Sequence, residues 1–149
     1  MIQNTMSYSR LPIKMSDKIV YIADVRLPTD KAHGIQIMKM CEAFAESGAQ
    51  VSLWVPRRHT PIEIDAFAYY GVEKKFSIIY APCIDLTRYG KFGFMVQSIT
   101  FLIATFWKSL HESNAIFYTR SAVAGLGLSL LRKRVGFEAH MGHLGFALK

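Results

Sequence analysis

A chain of 149 residues that is 51% hydrophobic and 19% charged carries enough apolar material to bury a core, which excludes disorder over most of its length. Lys and Arg number 18 against 11 Asp and Glu, a net charge of +7 held in short clusters such as Arg57-Arg58, Lys74-Lys75 and Arg132-Lys133-Arg134. Such clusters suit phosphates, but without a dense basic face or a recognisable binding module they argue against nucleic acid.

Residues 1–16 hold no apolar core of the length a secretory signal needs, so they are expected to form a polar tail outside the fold. Met6 and Met15 each offer a further start. The first strand is "KIVYIAD" (Lys18–Asp24), an unbroken apolar run ending in an acid, as in a parallel strand covered on both faces. The loop "VRLPTDKAH" follows, broken by Pro28 and Asp30. From Gly34 a helical stripe is expected, because Gly34, Ile37, Met38, Cys41, Phe44, Ala45 and Gly48 recur at three- and four-residue steps; Gly48 is its stop.

"QVSLWVP" (Gln50–Pro56) reads as the second strand and "PIEIDAFAYYG" (Pro61–Gly71) as a short helix with Pro at its start and Gly at its end. "FSIIYAP" (Phe76–Pro82) is the third strand. The run from Phe92 to Trp107 carries no charge, yet its 16 residues fall short of the roughly 20 that span a bilayer. It is apolar nearly all round, so a helix buried in the domain is expected, with a membrane-interface helix as the alternative. "AIFYTRS" (Ala115–Ser121) is a fourth strand, "AVAGLGLSLLRKR" (Ala122–Arg134) a helix, and "VGFEAHM" (Val135–Met141) a fifth strand.

Alternating strands and helices predict an α/β fold, a Rossmann-like doubly wound parallel sheet. Ligands of such sheets bind at the C-terminal strand ends. Those ends hold Asp24 to Gly34, Pro56 to Thr60, Cys83 to Arg88, Thr119 to Ser121, and Glu138 to His143.

At the first of these, Gly34 near a helix start either lets an anion approach the backbone or merely permits tight packing. Neither the dinucleotide fingerprint nor the P-loop is present, and no resident cofactor is expected. His140, with Glu138 on the same strand face, can move a proton, orient a hydroxyl or serve structurally; a third ligand at metal spacing is lacking. Arg120 can meet a phosphate or pair with Asp24 or Glu138. Cys41 and Cys83 have neither disulfide nor metal spacing, so buried free thiols of a reducing cytoplasm are expected.

Three segments, "KIVYIADVRLPTDKAHGIQIMKMCEAFAESGAQVSLWVPRR", "DAFAYYGVEKKFSI" and "IFYTRSAVAGLGLSLLRKRVGFEAH", together resemble the N-terminal domain of family-4 glycosyltransferases of the GT-B fold. The resemblance covers Lys18 to His140. It implies two Rossmann-like domains facing across a cleft, with a sugar moved from a nucleotide-sugar donor to a glycan or lipid-linked acceptor, usually with retention. It implies that the first helix start, at His33 and Gly34, approaches the donor diphosphate, and that His140 lines the cleft as the leading catalytic candidate. Arg120 and Glu138 follow as substrate-binding candidates. The usual glycine pair of the first loop is here His33-Gly34, which leaves a one-sided approach.

The sequence holds no counterpart of the family's C-terminal donor domain, so it reads as an incomplete N-terminal half that does not turn over alone. An uncovered cleft half is expected to self-associate as a homo-oligomer, and peripheral contact with the inner face of a membrane is a further expectation. A non-catalytic α/β module binding an anionic ligand at its strand ends is the alternative.

Overall fold

The computed structural model describes residues 17–137. Five strands, β1 (Lys18–Ile22), β2 (Gln50–Pro56), β3 (Ser77–Ala81), β4 (Ala115–Thr119) and β5 (Arg134–Phe137), form one sheet in the order β3-β2-β1-β4-β5. Every pairing is parallel. Four helices connect them: α1 (Ala32–Glu46), α2 (Ala66–Tyr70), α3 (Gly90–Leu110) and α4 (Ala122–Leu130). A 3-10 turn at Thr87–Tyr89 leads into α3. This is the expected Rossmann-like α/β architecture.

Side-chain alternation along the strands divides the core into two layers. Ile19, Tyr21, Leu53 and Val55 pack with Ile37, Met38 and Cys41 of α1 and with Ala66 and Tyr70 of α2. Val20, Ile22, Trp54 and Phe117 pack on the opposite face with Phe101 of α3 and Leu128 of α4. Because the central strands β1 and β4 are covered on both sides, their sequences read as nearly continuous apolar runs, whereas the edge strand β3 leaves Ser77 and Tyr80 exposed. Tyr21 and Tyr118 are register partners, with ring centroids 5.1 Å apart, and Phe44 of α1 meets Tyr118 edge-on at 5.4 Å. These three rings hold α1 over the β1–β4 junction.

Strand order reverses at that junction. The chain steps outward from β1 to β3, then α3 carries it back across to β4 on the other side of β1. The crevice outside the C-terminal ends of β1 and β4 is therefore the topological switch point.

Several boundaries differ from the sequence reading. α1 begins at Ala32, two residues before Gly34. α2 is only Ala66–Tyr70, capped by Asp65, whose carboxylate accepts from the Ala68 amide at 3.3 Å, and ended by Gly71 at φ 61°. Pro61 lies outside it, since Asp65 supplies the local helix-start signal. The Arg132-Lys133-Arg134 cluster falls beyond α4, leading into and starting β5.

The larger correction concerns α3. Its sheet-facing positions are Gly93, Gln97, Phe101, Thr105 and Ser109, four of them small or polar. Apart from Phe101 and Phe106, most of its large apolar residues point outward, with Phe92 67%, Ile103 62% and Trp107 70% exposed. The expected buried helix instead lies on the surface. Gly93 packs on the preceding turn, where a side chain would collide with the Leu86 carbonyl. Thr105 and Ser109 satisfy their hydroxyls on the Leu102 and Phe106 carbonyls of their own helix, at 2.9 and 2.7 Å, and so can face inward.

Candidate functional site

The loop from β1 to α1 is fixed before any ligand is considered. The Tyr70 hydroxyl accepts from the Thr29 amide at 2.7 Å and donates to the Thr29 carbonyl at 2.8 Å, in a buried position. Thr60 Oγ1 donates to the Pro28 carbonyl at 3.1 Å. Pinned from two sides, the loop sets where α1 begins.

At that start, Lys31 is the N-cap and makes no side-chain hydrogen bond to the helix. The Gly34 amide donates to the Lys31 carbonyl at 2.9 Å. Uncapped amides and the positive end of the helix dipole favour an anion at this place.

β4 delivers a cation to the same crevice. Thr119 is fully buried and its hydroxyl accepts from the Ser121 amide at 3.1 Å, which turns the chain at Arg120 toward α1. Arg120 Nη1 donates to Gln36 Oε1 at 3.2 Å. Burial above all, and then the charges of Arg120 and Lys31, hold the half-buried His33 below the usual histidine value, against a smaller upward pull from Asp30. His33 thus sits in a positive field as a neutral imidazole near pH 7. An anion arriving here would relieve that field.

The structure brings His33, Gly34 and Arg120 together at the switch point. Gly34 is buried, and a Cβ there would run into the Tyr70 hydroxyl and lie 2.7 Å from Thr29 Cγ2. Its missing side chain therefore serves packing within the loop. His140 and Glu138 lie outside the described residues.

Asp24 takes a different partner set from the one considered for Arg120. Its carboxylate accepts from Gln97 Nε2 at 2.9 Å and Ser98 Oγ at 2.5 Å, both from α3. Gln97 is fully buried, and its Oε1 has no hydrogen-bond partner. Further along the same edge, Asp85 accepts from the His59 amide at 3.1 Å and from the Thr87 hydroxyl at 2.7 Å. Burial pulls Asp85 upward, but the Thr87 and His59 hydrogen bonds and the nearby Arg58 charge hold it below its usual value. Arg58 in turn lies over the Phe94 ring at 5.8 Å.

Sequence reasoning gave no site role to Gln36, Gln97 or Ser98. Gln36 sits two residues after Gly34, and Gln97 and Ser98 interrupt an apolar run, which is the one signal that marked them. Among the described residues no group of His, Cys, Asp and Glu could hold a metal ion. No helix among them is long and apolar enough to cross a membrane.

Comparison with protein-family models, with curated proteins and with solved structures finds no match in any of the three. The likeness to family-4 glycosyltransferases rests on the residues quoted for it.

Proposed function

We propose that this chain is the acceptor-side, N-terminal domain of a retaining glycosyltransferase, and that the start of α1 with His33 and Arg120 faces the diphosphate of a nucleotide-sugar. The observation that carries the reading is the convergence of Arg120, Lys31 and the uncapped α1 N-terminus on one half-buried histidine at the switch point. Charge develops on the leaving diphosphate as the glycosidic bond breaks, and a guanidinium with a helix N-terminus stabilises it without reorganising.

In this reading Arg120 holds phosphate oxygens, and the neutral imidazole of His33 donates one hydrogen bond to donor or acceptor. Gly34 sets the helix start through its packing on Tyr70. His140 and Glu138 are proposed on the sequence resemblance alone, as cleft catalyst and acceptor contact. A second domain supplies the base and ribose contacts, so the 149 residues alone bind the donor weakly and do not turn over. A cytoplasmic location goes with the reading, at the inner face of the membrane where the acceptor is lipid-linked.

The test is NMR of the 149-residue chain titrated with UDP, GDP and simple nucleotide-sugars. Expected are amide shifts confined to the α1 start and Arg120, an upward move of the His33 pKa on binding, and about tenfold weaker binding in Arg120→Gln, as for loss of one charged hydrogen bond. Shifts elsewhere, or none at millimolar ligand, would remove the diphosphate assignment and favour a non-catalytic module.

A further inference from the structure

Most of the exposed large apolar side chains among the described residues lie on the outward side of α3 and α4. On α3 the inward ladder 93, 97, 101, 105, 109 and the outward ladder 95, 99, 103, 107 are two residues out of phase, which places them about 200° apart at about 100° per residue. Met95, Ile99, Ile103 and Trp107 therefore form one stripe along a helix about 31 Å long. α4 continues it, with Val123 65%, Leu126 69% and Leu130 79% exposed. The two helices approach closely enough that a Cβ on Gly127 would strike the Phe106 ring, so their outer faces make one surface. A groove of about 640 Å³ between β3 and α3, walled by Ile79, Ile84, Ile103 and Trp107, extends the apolar area past the sheet edge.

Charge selects what covers such a face. Between Leu86 and Phe137 the sequence has one acid, Glu112, and its carboxylate is paired with Lys18 at 2.5 Å. Cations stand at both ends of the apolar stripe, Arg88 and Lys91 where α3 begins, Arg132 and Arg134 where α4 gives way to β5. The opposite layer is mixed, with Glu42, Glu46, Asp65 and Glu73 among its lysines. A second copy laid on the α3–α4 face would set cation against cation with no acid to answer them. An anionic lipid surface answers both features at once: apolar and aromatic side chains enter the boundary between headgroups and acyl chains, and the terminal cations meet headgroup phosphates.

We propose that the α3–α4 face docks on an anionic phospholipid membrane, with α3 lying in the interface plane. The proposal does not depend on sugar transfer, because the switch-point site uses α1 and the end of β4, and failure of either leaves the other standing.

The test is co-sedimentation of the full 149-residue chain with vesicles of phosphatidylcholine alone and of phosphatidylcholine with phosphatidylglycerol. Binding is expected to the anionic vesicles, falling with salt, with a blue shift of tryptophan emission. Trp107 supplies that shift, since Trp54 is fully buried. The double substitution Ile103→Ser, Trp107→Ser is expected to weaken binding at least about tenfold with unchanged circular dichroism, and Arg88→Glu with Lys91→Glu by about fivefold per site. Absence of binding to anionic vesicles would overturn the proposal, as would binding that ignores these substitutions. A dimer in light scattering that the serine pair converts to monomer would give the face to a second copy and overturn it equally.

Discussion

The hydroxyl of Tyr70 stands where a side chain on Gly34 would begin, and the same hydroxyl clasps the amide and carbonyl of Thr29 at 2.7 and 2.8 Å. Gly34 does not have a positive φ, so space rather than backbone conformation demands glycine here. One contact thereby joins α2, the β1–α1 loop and the start of α1, the three pieces that set the anion-favouring end of that helix.

Gly34→Ala is accordingly expected to destabilise the fold by about 1–3 kcal/mol through overpacking. Tyr70→Phe leaves both Thr29 groups without their partner, at about 1–3 kcal/mol. Combined, the two substitutions should cost less than their sum, because removing the hydroxyl makes room for the new methyl. Urea unfolding of the four proteins reads the coupling, and strict additivity would show that the hydroxyl is not what excludes a side chain at position 34.

His33 gives a pH signature. Burial, then Arg120 and Lys31, hold its folded value below the ordinary 6.5, so the unfolded chain takes up the proton first as pH falls. The stability from a neutral His33 is fully present above pH 6.5 and is lost as pH drops from there through the lowered folded value. Arg120→Gln removes the second-largest cause and should raise the His33 value part of the way toward 6.5, burial keeping the remainder. Imidazole proton titration by NMR checks it. An unchanged midpoint would mean that the guanidinium does not act on this ring.

The sheet was legible in the sequence because burial on both faces turns its central strands into nearly unbroken apolar runs, as in "KIVYI" and "AIFYT". That His33, Gly34 and Arg120 lie at C-terminal strand ends was legible from the alternation, but their meeting depends on the strand order that sets β4 beside β1. What Gly34 does was not legible, since Tyr70 is 36 residues away and only the folded loop brings its hydroxyl there. α3 was misread because composition reports how apolar a segment is and not which way it faces. Polar residues at 97, 105 and 109 fall on one four-residue ladder with Phe101, and polar positions at such spacing normally mark the solvent side. Here they mark the buried side, because Gln97 reaches the Asp24 carboxylate and Thr105 and Ser109 bond carbonyls of their own helix.

The two thiols should separate cleanly. Cys41 is fully buried and burial pushes its thiol up to about 12, so it carries almost no thiolate at neutral pH. Cys83 is half-buried, raised chiefly by burial and also by Asp85 and Asp24, and its thiol donates to the Arg57 carbonyl at 3.4 Å. A disulfide reagent at pH 8 is expected to modify Cys83 slowly in the folded protein and Cys41 only on unfolding. Equal rates at both would contradict the burial of Cys41 between α1 and the sheet.

The orientation of α3 is open to a direct contrast between neighbours. Phe101 is fully buried against the sheet and Ile103 is 62% exposed, though both belong to the same apolar run. Phe101→Ala empties a packed position and should cost about 3–5 kcal/mol, whereas Ile103→Ala should stay within about 0.5 kcal/mol. A helix buried with its oily side inward would reverse the order, making Ile103 the costly site. Thermal or urea unfolding of the two single variants separates these arrangements, and the second variant also removes apolar surface from the face assigned to lipid. A stable Ile103→Ala protein with weakened vesicle binding would show that this side chain works for docking and not for the fold.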